Sequence, residues 1–303
     1  MNMVGSTASR TVEQCYPGMP TSDGAGVKLL RVLHGAALQR RLDPWLMFDY
    51  FASDRADDYI AGFPDHPHRG FETITIMLEG RMLHRDSRGN QGVLEPGDVQ
   101  WMSAARGLVH SEMPQQDRGK LAGYQLWINL PARHKMDEPR WQDIPASRIP
   151  RIEDGEGSHL RLIAGRIPPD CFGADRDSAQ LREVRAQGAW LEGPLQQPLT
   201  EPILVEGHLC PGSRLRLPLP ASHHAMVFAL ADGLFVNRQR LAAQALGVLG
   251  NTGDHVCLSG EGGFLVAAGR PLHESIAQMG PFVMNTREEL MQALHDYQSG
   301  ALG

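Results

Sequence analysis

Two short segments of the chain carry side chains that can bind a metal ion. His66 and His68 are separated by one proline, and His110 and Glu112 are separated by one serine. Side chains at positions i and i+2 of an extended strand lie on the same face of that strand. Two such pairs on neighbouring strands can therefore converge on one cation inside a barrel. The spacing predicts a single mononuclear metal site with these four ligands.

The other histidines are not predicted to be ligands. We assign no ligand partner to His84 or His134, so we expect both to be structural. His223 and His224 are adjacent in the chain, which directs their side chains to opposite faces of a strand. Such a pair is a poor chelate.

Three imidazoles and one carboxylate leave coordination positions open on a six-coordinate metal. Closed structural zinc sites prefer four ligands that usually include cysteine. Mixed histidine and carboxylate sites with open positions suit iron(II), and also manganese, cobalt, nickel or copper. We expect one divalent metal per chain, and zinc remains an alternative ion.

Strand patterns flank the ligand pairs. Residues 71–78 form a β-rich run, residues 99–102 form an apolar run behind a Pro-Gly-Asp turn, and residues 123–130 form another. A polar segment at 86–90 predicts a turn between strands. Short strands separated by Gly, Pro and Asp turns are typical of barrels and sandwiches.

The length of 303 residues favours two domains. We expect an N-terminal metal-binding barrel at 1–135, a charged, proline-containing linker at 136–155, and a C-terminal barrel at 156–303. Strand patterns return in this last part at 213–219 and 225–230. The chain should end in an amphipathic helix at 286–298, packed on a barrel. Thr286 and Glu289 have the spacing of a capping box at its start.

The two halves contain a weak internal repeat. The strand-ending Gly80 aligns with Gly233, and the strand-opening Gly97 aligns with Gly253. Counting from these anchors, the four ligand positions become apolar in the second half, at Leu219, Ala221, Val266 and Ala268. The sequence therefore predicts a duplicated barrel whose second copy binds no metal.

Composition limits the partners. The formal net charge is −6 and no Lys/Arg cluster occurs, so direct nucleic-acid binding is not expected. The four cysteines are scattered without a CxxC pair, which is typical of reduced, buried thiols in a cytosolic protein. No apolar run reaches the length of a membrane span. We expect a cytoplasmic protein that does not contact membranes.

Several motifs resemble those of the pirin family of cupins. The matching segments are HPHRGFET at 66–73, PGD at 96–98, GLVHSEMP at 107–114, QLWINL at 125–130 and GPFVMNT at 280–286. The resemblance covers about residues 28–300. It implies an all-β bicupin: two antiparallel β-barrels of the jelly-roll type facing each other, with a short C-terminal α-helix.

The same resemblance implies the ion and its ligands. Iron would lie in the N-terminal barrel, bound by His66, His68, His110 and Glu112. In cupins generally the carboxylate ligand follows the HxH pair, and that position here is Glu72. The pirin pattern uses the later Glu112, so Glu72 is the alternative, with a hydrogen-bonding role near a strand start if it is not a ligand.

Two functions follow from the resemblance. Some pirins resemble flavonol 2,4-dioxygenases, also called quercetin 2,3-dioxygenases. In that reaction Glu112 would accept the proton of the substrate's 3-hydroxyl, and the ring would open with loss of carbon monoxide after dioxygen adds. Phe48, Phe63 and Trp101 could line a flat pocket or belong to the core. The alternative is a non-enzymatic, iron-dependent regulator that binds a protein partner, either as a transcription co-regulator or as a modulator of a metabolic enzyme.

Overall fold

Strands dominate the regular structure. The computed structural model describes residues 8–168, 171–172, 182–183, 186, 188 and 190–302. The elements of the first half are β1 (Val12–Pro17), β2 (Met19–Asp23), β3 (Val27–Leu33), α1 (Ala36–Arg41), β4 (Trp45–Ser53), β5 (Phe63–His68), β6 (Phe71–Glu79), β7 (Met82–Asp86), β8 (Gln91–Leu94), β9 (Val99–Ser103), β10 (Leu108–Pro114), β11 (Leu121–Asn129), β12 (Arg140–Ile144) and β13 (Arg151–Glu153).

The second half continues in the same manner and ends in a helix. Its elements are β14 (His159–Ala164), β15 (Arg166–Ile167), β16 (Leu191–Glu192), β17 (Ile203–Leu209), β18 (Arg214–Pro218), β19 (His224–Ala229), β20 (Leu234–Val236), β21 (Gln239–Arg240), β22 (Ala245–Leu249), β23 (His255–Gly260), β24 (Gly262–Gly269), β25 (Ala277–Met279), β26 (Phe282–Met284) and α2 (Arg287–Gln298). The predicted strands at 71–78, 99–102, 123–130, 213–219 and 225–230 correspond to β6, β9, β11, β18 and β19.

The chain forms two compact units. The first unit comprises Met19–Ala146 and Leu272–Gly303, and the second unit comprises Met1–Gly18 and Ser147–Pro271. The first unit contains a seven-stranded sheet in the order β12-β9-β6-β11-β4-β3-β2 and a four-stranded sheet in the order β5-β10-β7-β8. All the pairings in these sheets are antiparallel.

The second unit repeats this topology. Its sheets have the orders β1-β22-β19-β24-β17-β14-β13 and β18-β23-β20-β21. Strands β5 to β11 of the first unit therefore correspond one for one, in order, to strands β18 to β24 of the second unit. The predicted duplication is confirmed at the level of strand order. The alignment of Gly97 with Gly253 was wrong by one strand, because Gly97 precedes β9 and Gly253 precedes β23, the counterpart of β10.

The unit boundaries differ from the sequence-based ranges 1–135, 136–155 and 156–303. Strand β1 pairs with β22 of the second unit. The expected linker contains β12, which pairs with β9 of the first unit, and residues 272–303 also belong to the first unit. An open sheet edge accepts hydrogen bonds from any segment that reaches it. Composition along the chain therefore does not reveal which unit a terminal strand joins.

Helix α2 begins as predicted. The hydroxyl of Thr286 accepts a hydrogen bond from the Glu289 backbone N–H at 3.2 Å, and the Thr286 backbone N–H donates to the Glu289 carboxylate at 3.0 Å. These two bonds form the capping box. The buried face of the helix packs Leu290 and Ala293 against β26. The helix therefore belongs to the first unit, which also contains the histidine pairs.

The interior of the second unit is apolar. Leu219, Val266 and Ala268 are buried in its core, together with side chains from β17 and β19, whereas Ala221 is exposed. The predicted alignment of the ligand positions was wrong, however, because the counterpart of β10, which carries His110 and Glu112, is β23, whereas Val266 and Ala268 lie on β24. The absence of metal from this unit remains a prediction.

The cysteines form no disulfide. All four are free, but Cys171 is buried and Cys15 is exposed, with Cys210 and Cys257 in between. The expectation of four buried thiols was therefore wrong for Cys15. Among the residues that the structure describes, no helix is both long enough and apolar enough to cross a membrane.

Candidate metal centre

The two histidine pairs meet through the pairing of β5 with β10. His110 lies opposite His66, and Leu108 lies opposite His68. The ring centroids of the three imidazoles are 4.3 to 4.9 Å apart. One nitrogen from each ring lies within 4.8 Å of the other two. The predicted convergence of the histidines is therefore present.

The turn after the HxH pair needs a glycine. Gly70 has a φ of 91° and an ideal Cβ there would lie 1.9 Å from the Val283 carbonyl oxygen. No side chain fits in that gap, and left-handed backbone disfavours other residues. The Val283 backbone N–H donates to the Arg69 carbonyl at 3.0 Å. The C-terminal segment thereby packs directly on the chain that leaves His68.

Burial keeps two of the histidines neutral. His68 and His110 are 3% and 1% exposed. Burial lowers the pKa of His68 well below its usual value, with a further contribution from His66. Burial lowers the pKa of His110 in the same way, and its histidine neighbours add to the effect. A metal ligand must be a neutral imidazole, so both rings are in the form that binds metal.

The protein contacts leave one nitrogen of each ring for a ligand. His66 Nδ1 lies 2.8 Å from the Pro64 carbonyl oxygen, and the His68 ring has a hydrogen bond with the Pro281 carbonyl. The buried atoms His68 Nδ1 and His110 Nε2 have no hydrogen-bond partner. Unpaired buried nitrogens are costly, and a metal-ligating histidine characteristically uses its second nitrogen for a protein contact. The three rings therefore fit a metal ion.

Glu112 lies next to this group but outside it. Within the described residues, the set of ligand atoms closer than 4.8 Å comprises the three histidines alone. A bulge in the β5–β10 pairing separates His110 from Glu112. The Glu112 carboxylate is 3% exposed and accepts hydrogen bonds from Gln125 at 2.8 Å and Thr75 at 3.3 Å. Both donors are neutral side chains.

Glu72 lies on the other face of the sheet. It follows the HxH pair on β6, and its side chain is buried. Side chains alternate along a strand, so Glu72 and Thr75 point to opposite faces, and the Thr75 hydroxyl reaches Glu112. The alternation therefore separates Glu72 from the face that bears Thr75 and Glu112.

A cavity of about 620 Å³ opens beside His66 and His68. Its apolar lining includes Met47, Phe51, Phe63 and Trp127, and its polar lining includes Arg31, Asp49 and Gln125. Of the three aromatic residues proposed as pocket walls, Phe63 is confirmed. Phe48 is fully buried and packs on Tyr124, because alternation along β4 turns it away from the cavity face of Met47. Trp101 is not a lining residue.

A row of polar side chains crosses the large sheet of the first unit. Paired positions of adjacent strands place them side by side on one face, in the order Arg31, Asp49, Gln125, Thr75, Gln100 and Asp143. Arg31 donates two hydrogen bonds to Asp49, at 3.0 and 2.8 Å, and Gln100 donates one to Asp143 at 2.9 Å. The row connects the cavity wall to the donors of Glu112. Because its members are far apart in the chain, no sequence motif signals it.

His84 was expected to be structural, yet it contacts the histidine cluster. Its Nδ1 lies 3.4 Å from His110 Nδ1, and its ring stacks on Trp141 with centroids 5.9 Å apart. Trp141 belongs to the segment that was expected to be a linker. By contrast, His134 lies near the surface and contacts Asp137 at 2.6 Å. The pairing of β7 with β10 brings His84 to the cluster.

Family models match both halves of the chain. One described as pirin covers residues 26–128, and one described as the pirin C-terminal cupin domain covers residues 204–303. The chain belongs to the pirin family. The resemblance inferred from the motifs is confirmed, and so is the all-β bicupin fold.

Curated relatives of this pirin-family protein match it over almost its full length. A Pseudomonas aeruginosa protein, provisionally named as a quercetin 2,3-dioxygenase, is 44% identical over 98% of this chain and 99% of its own. A pirin-like protein of Caulobacter vibrioides is 41% identical, with coverage of 96% and 98%. Among solved structures, a quercetin 2,3-dioxygenase from Acinetobacter baumannii superposes with a TM-score of 0.84 at 32% identity, and 98% and 99% of the two chains are covered.

Proposed function

We propose that this pirin-family protein is a metal-dependent dioxygenase that acts on flavonol-type phenolic substrates. The observation that carries the proposal is the cluster of three histidines, two of which line a cavity together with aromatic and polar side chains. The similarity to proteins named as quercetin 2,3-dioxygenases supports the same reaction class.

The ligand set we propose is His66, His68, His110 and Glu112, with iron(II) as the ion. Two buried ring nitrogens without partners support the histidines. The surroundings of Glu112 support its assignment as a ligand. Its carboxylate is buried and both of its hydrogen-bond donors are neutral, so no positive charge in these contacts compensates a negative charge there. A divalent cation beside it would provide the missing positive charge. Nitrogen and oxygen donors with open positions suit iron(II).

The cavity suits a planar phenolic molecule. A volume of about 620 Å³ lies within the range of small-molecule pockets, about 300–1,000 Å³. Phe51, Phe63 and Trp127 offer apolar contact to aromatic rings. The Arg31 and Asp49 pair offers hydrogen bonds to hydroxyl groups at the same wall.

Glu112 is the proposed base. A bound metal would supply Lewis acidity toward a phenolic oxygen and a path for electrons between the substrate and dioxygen. Glu112 accepts the proton of the substrate's 3-hydroxyl, and Thr75 and Gln125 hold its carboxylate in a defined orientation beforehand. Of the two donors, Gln125 also lines the cavity. The substrate hydroxyl therefore reaches Glu112 by displacing the amide group of Gln125. Phe63 and Trp127 exclude water from the reacting group.

Oxygen uptake tests the proposal. Apo-protein is loaded with iron(II), manganese, cobalt or nickel in turn, and oxygen consumption and carbon monoxide release are measured with a panel of flavonols. We expect equimolar oxygen uptake and carbon monoxide release with at least one metal. Metal-loaded protein that consumes no oxygen with any flavonol contradicts the enzymatic function. The result would then favour a metal-binding regulator.

A further inference from the structure

His84 contacts His110 but is not one of the three clustered histidines. It sits on β7, where it pairs with Glu112 of β10, and it is 1% exposed. Its ring stacks on Trp141 at an interplanar angle of 19°. The side chain is therefore fixed by packing, and its Nδ1 contact to His110 is a defined feature of the fold.

A carboxylate lies near the far end of the His84 ring, where the buried Nε2 has no hydrogen-bond partner. His84 Nε2 lies 3.6 Å from Asp86 Oδ2, which is an electrostatic contact and not a hydrogen bond. Asp86 itself is held firmly in the turn between β7 and β8. Its Oδ1 accepts from the backbone N–H groups of Arg88 and Asn90, both at 2.9 Å, and its Oδ2 accepts from the Asn90 amide at 2.8 Å.

These contacts select one arrangement of protons. A proton on His84 Nε2 is attracted by the negative charge of the Asp86 carboxylate, whereas a lone pair on Nε2 would be repelled by it. With the proton on Nε2, His84 Nδ1 becomes an acceptor, because a neutral imidazole has one donor and one acceptor nitrogen. His110 Nδ1 then carries the proton of that contact. The lone pair of His110 is left on Nε2, the buried atom without a partner.

We propose that His84 and Asp86 are positioning residues that hold His110 in the Nδ1–H tautomer and so direct its Nε2 lone pair to the metal. The inference rests on the metal site proposed above. It assigns a role to a histidine outside the ligand set and to the polar turn at 86–90. Partners that orient a metal-ligating histidine typically contribute about 10–100-fold in metal affinity.

Two substitutions separate this role from simple packing. His84→Phe keeps an aromatic ring against Trp141 but removes the acceptor. His84→Asn loses the ring but places a carbonyl oxygen near the position of Nδ1. A positioning role predicts that the Asn variant binds metal more tightly than the Phe variant, and a packing role predicts the reverse order. His223→Phe is the matched control, because His223 is equally buried, at 2% exposed, but lies in the second unit.

The readout is cobalt(II) affinity by titration of apo-protein, together with the visible spectrum of the bound cobalt. We expect about 10–100-fold weaker binding and an altered spectrum for His84→Phe, near-wild-type binding for His84→Asn, and no change for His223→Phe. Unchanged affinity and spectrum in His84→Phe would overturn the proposal, as would weaker binding by Asn than by Phe.

Nitrogen-15 NMR of histidine-labelled, zinc-loaded wild type adds a test that needs no variant. We expect His84 as the Nε2–H tautomer and His110 as the Nδ1–H tautomer. The Nδ1–H tautomer of His84 would refute the proposed arrangement of protons even if both variants failed to fold. Wild type that binds neither cobalt nor zinc would instead remove the metal site itself.

Discussion

Gln125 donates a hydrogen bond to Glu112 at 2.8 Å, and the same side chain lines the cavity. Glu112 is therefore linked to the cavity through a neutral amide. The bond stabilises a buried carboxylate, and hydrogen bonds to charged groups contribute about 1.5–3 kcal/mol.

Gln125→Leu should destabilise the apo-protein by about 1.5–3 kcal/mol, because Glu112 loses one of its two donors. The effect should shrink when Glu112 is already Gln, which a double-mutant cycle by urea unfolding measures. Gln278→Leu is the control, because Gln278 lines the same cavity but bonds Gln39 and Gly280. Additive effects of the Gln125 and Glu112 changes would show that the two side chains are not coupled.

Glu112→Gln should retain part of the metal but lose oxygenase activity. The amide still offers a neutral oxygen and the three imidazoles remain, but the variant cannot accept the substrate's proton. Loss of a general base typically lowers the rate by about 10²–10⁴-fold. Oxygen uptake with quercetin under iron(II), with metal content quantified in both proteins, measures this loss. Equal rates at equal metal content would remove Glu112 from the chemistry.

Wild type should contain one metal per chain, and His68→Ala should contain almost none. The substitution removes one of three converging nitrogens, while the apolar core of the second unit is untouched. Elemental analysis after extensive washing, with circular dichroism for folding, measures both. His134→Ala, which alters a half-exposed histidine paired with Asp137, should keep full metal. Two equivalents in wild type would contradict the single site.

The apo-protein should lose stability as the pH falls below about 6.5. Burial lowers the pKa of His68 and His110 in the folded state, whereas both return to about 6.5 on unfolding. The unfolded state then binds more protons, so the free energy of unfolding decreases by up to about 1.4 kcal/mol per pH unit for each histidine. Urea unfolding at pH 7.5, 6.5 and 5.5 measures the slope. It should be smaller in His68→Phe, and an equal slope would contradict this origin.

Lys135 should be important for the stability of the first unit. Its ammonium group is buried and donates to the Gly70 carbonyl at 2.6 Å, to the Asn129 side chain at 2.6 Å and to the Val283 carbonyl at 3.0 Å. Burial lowers its pKa to about 7, whereas the three oxygens favour the charged form.

Lys135→Met leaves these acceptors unpaired, and each unsatisfied buried group costs about 1–3 kcal/mol. Thermal unfolding should therefore shift to a clearly lower midpoint than in wild type. Lys120→Met, which removes a surface ion pair with Glu79, should change stability by less than about 1 kcal/mol. Similar shifts in the two variants would show that the buried position of Lys135 has no special role.

Local pattern was sufficient to predict several strands, the helix cap and the convergence of the three histidines. Residues two apart on one strand share a face whatever the rest of the fold does, so His66 and His68 were recognisable as a pair. The Thr286 and Glu289 cap depends on four consecutive residues only. The topological repeat was visible because turns need glycine at fixed places, as at Gly80 and Gly233.

Tertiary structure alone decided the surroundings of those histidines. Neither His84 nor His134 was predicted to join the site, but strand pairing brings His84 against His110. Gln125 donates a hydrogen bond to Glu112. Trp141 lies on a strand in the segment predicted to be a linker, and it stacks on His84. Both contacts arise because hydrogen bonding between strands joins residues far apart in the chain. Side-chain direction along a strand is a local property with a period of two, whereas the choice of partner strand depends on which sheet edges remain open in the whole fold.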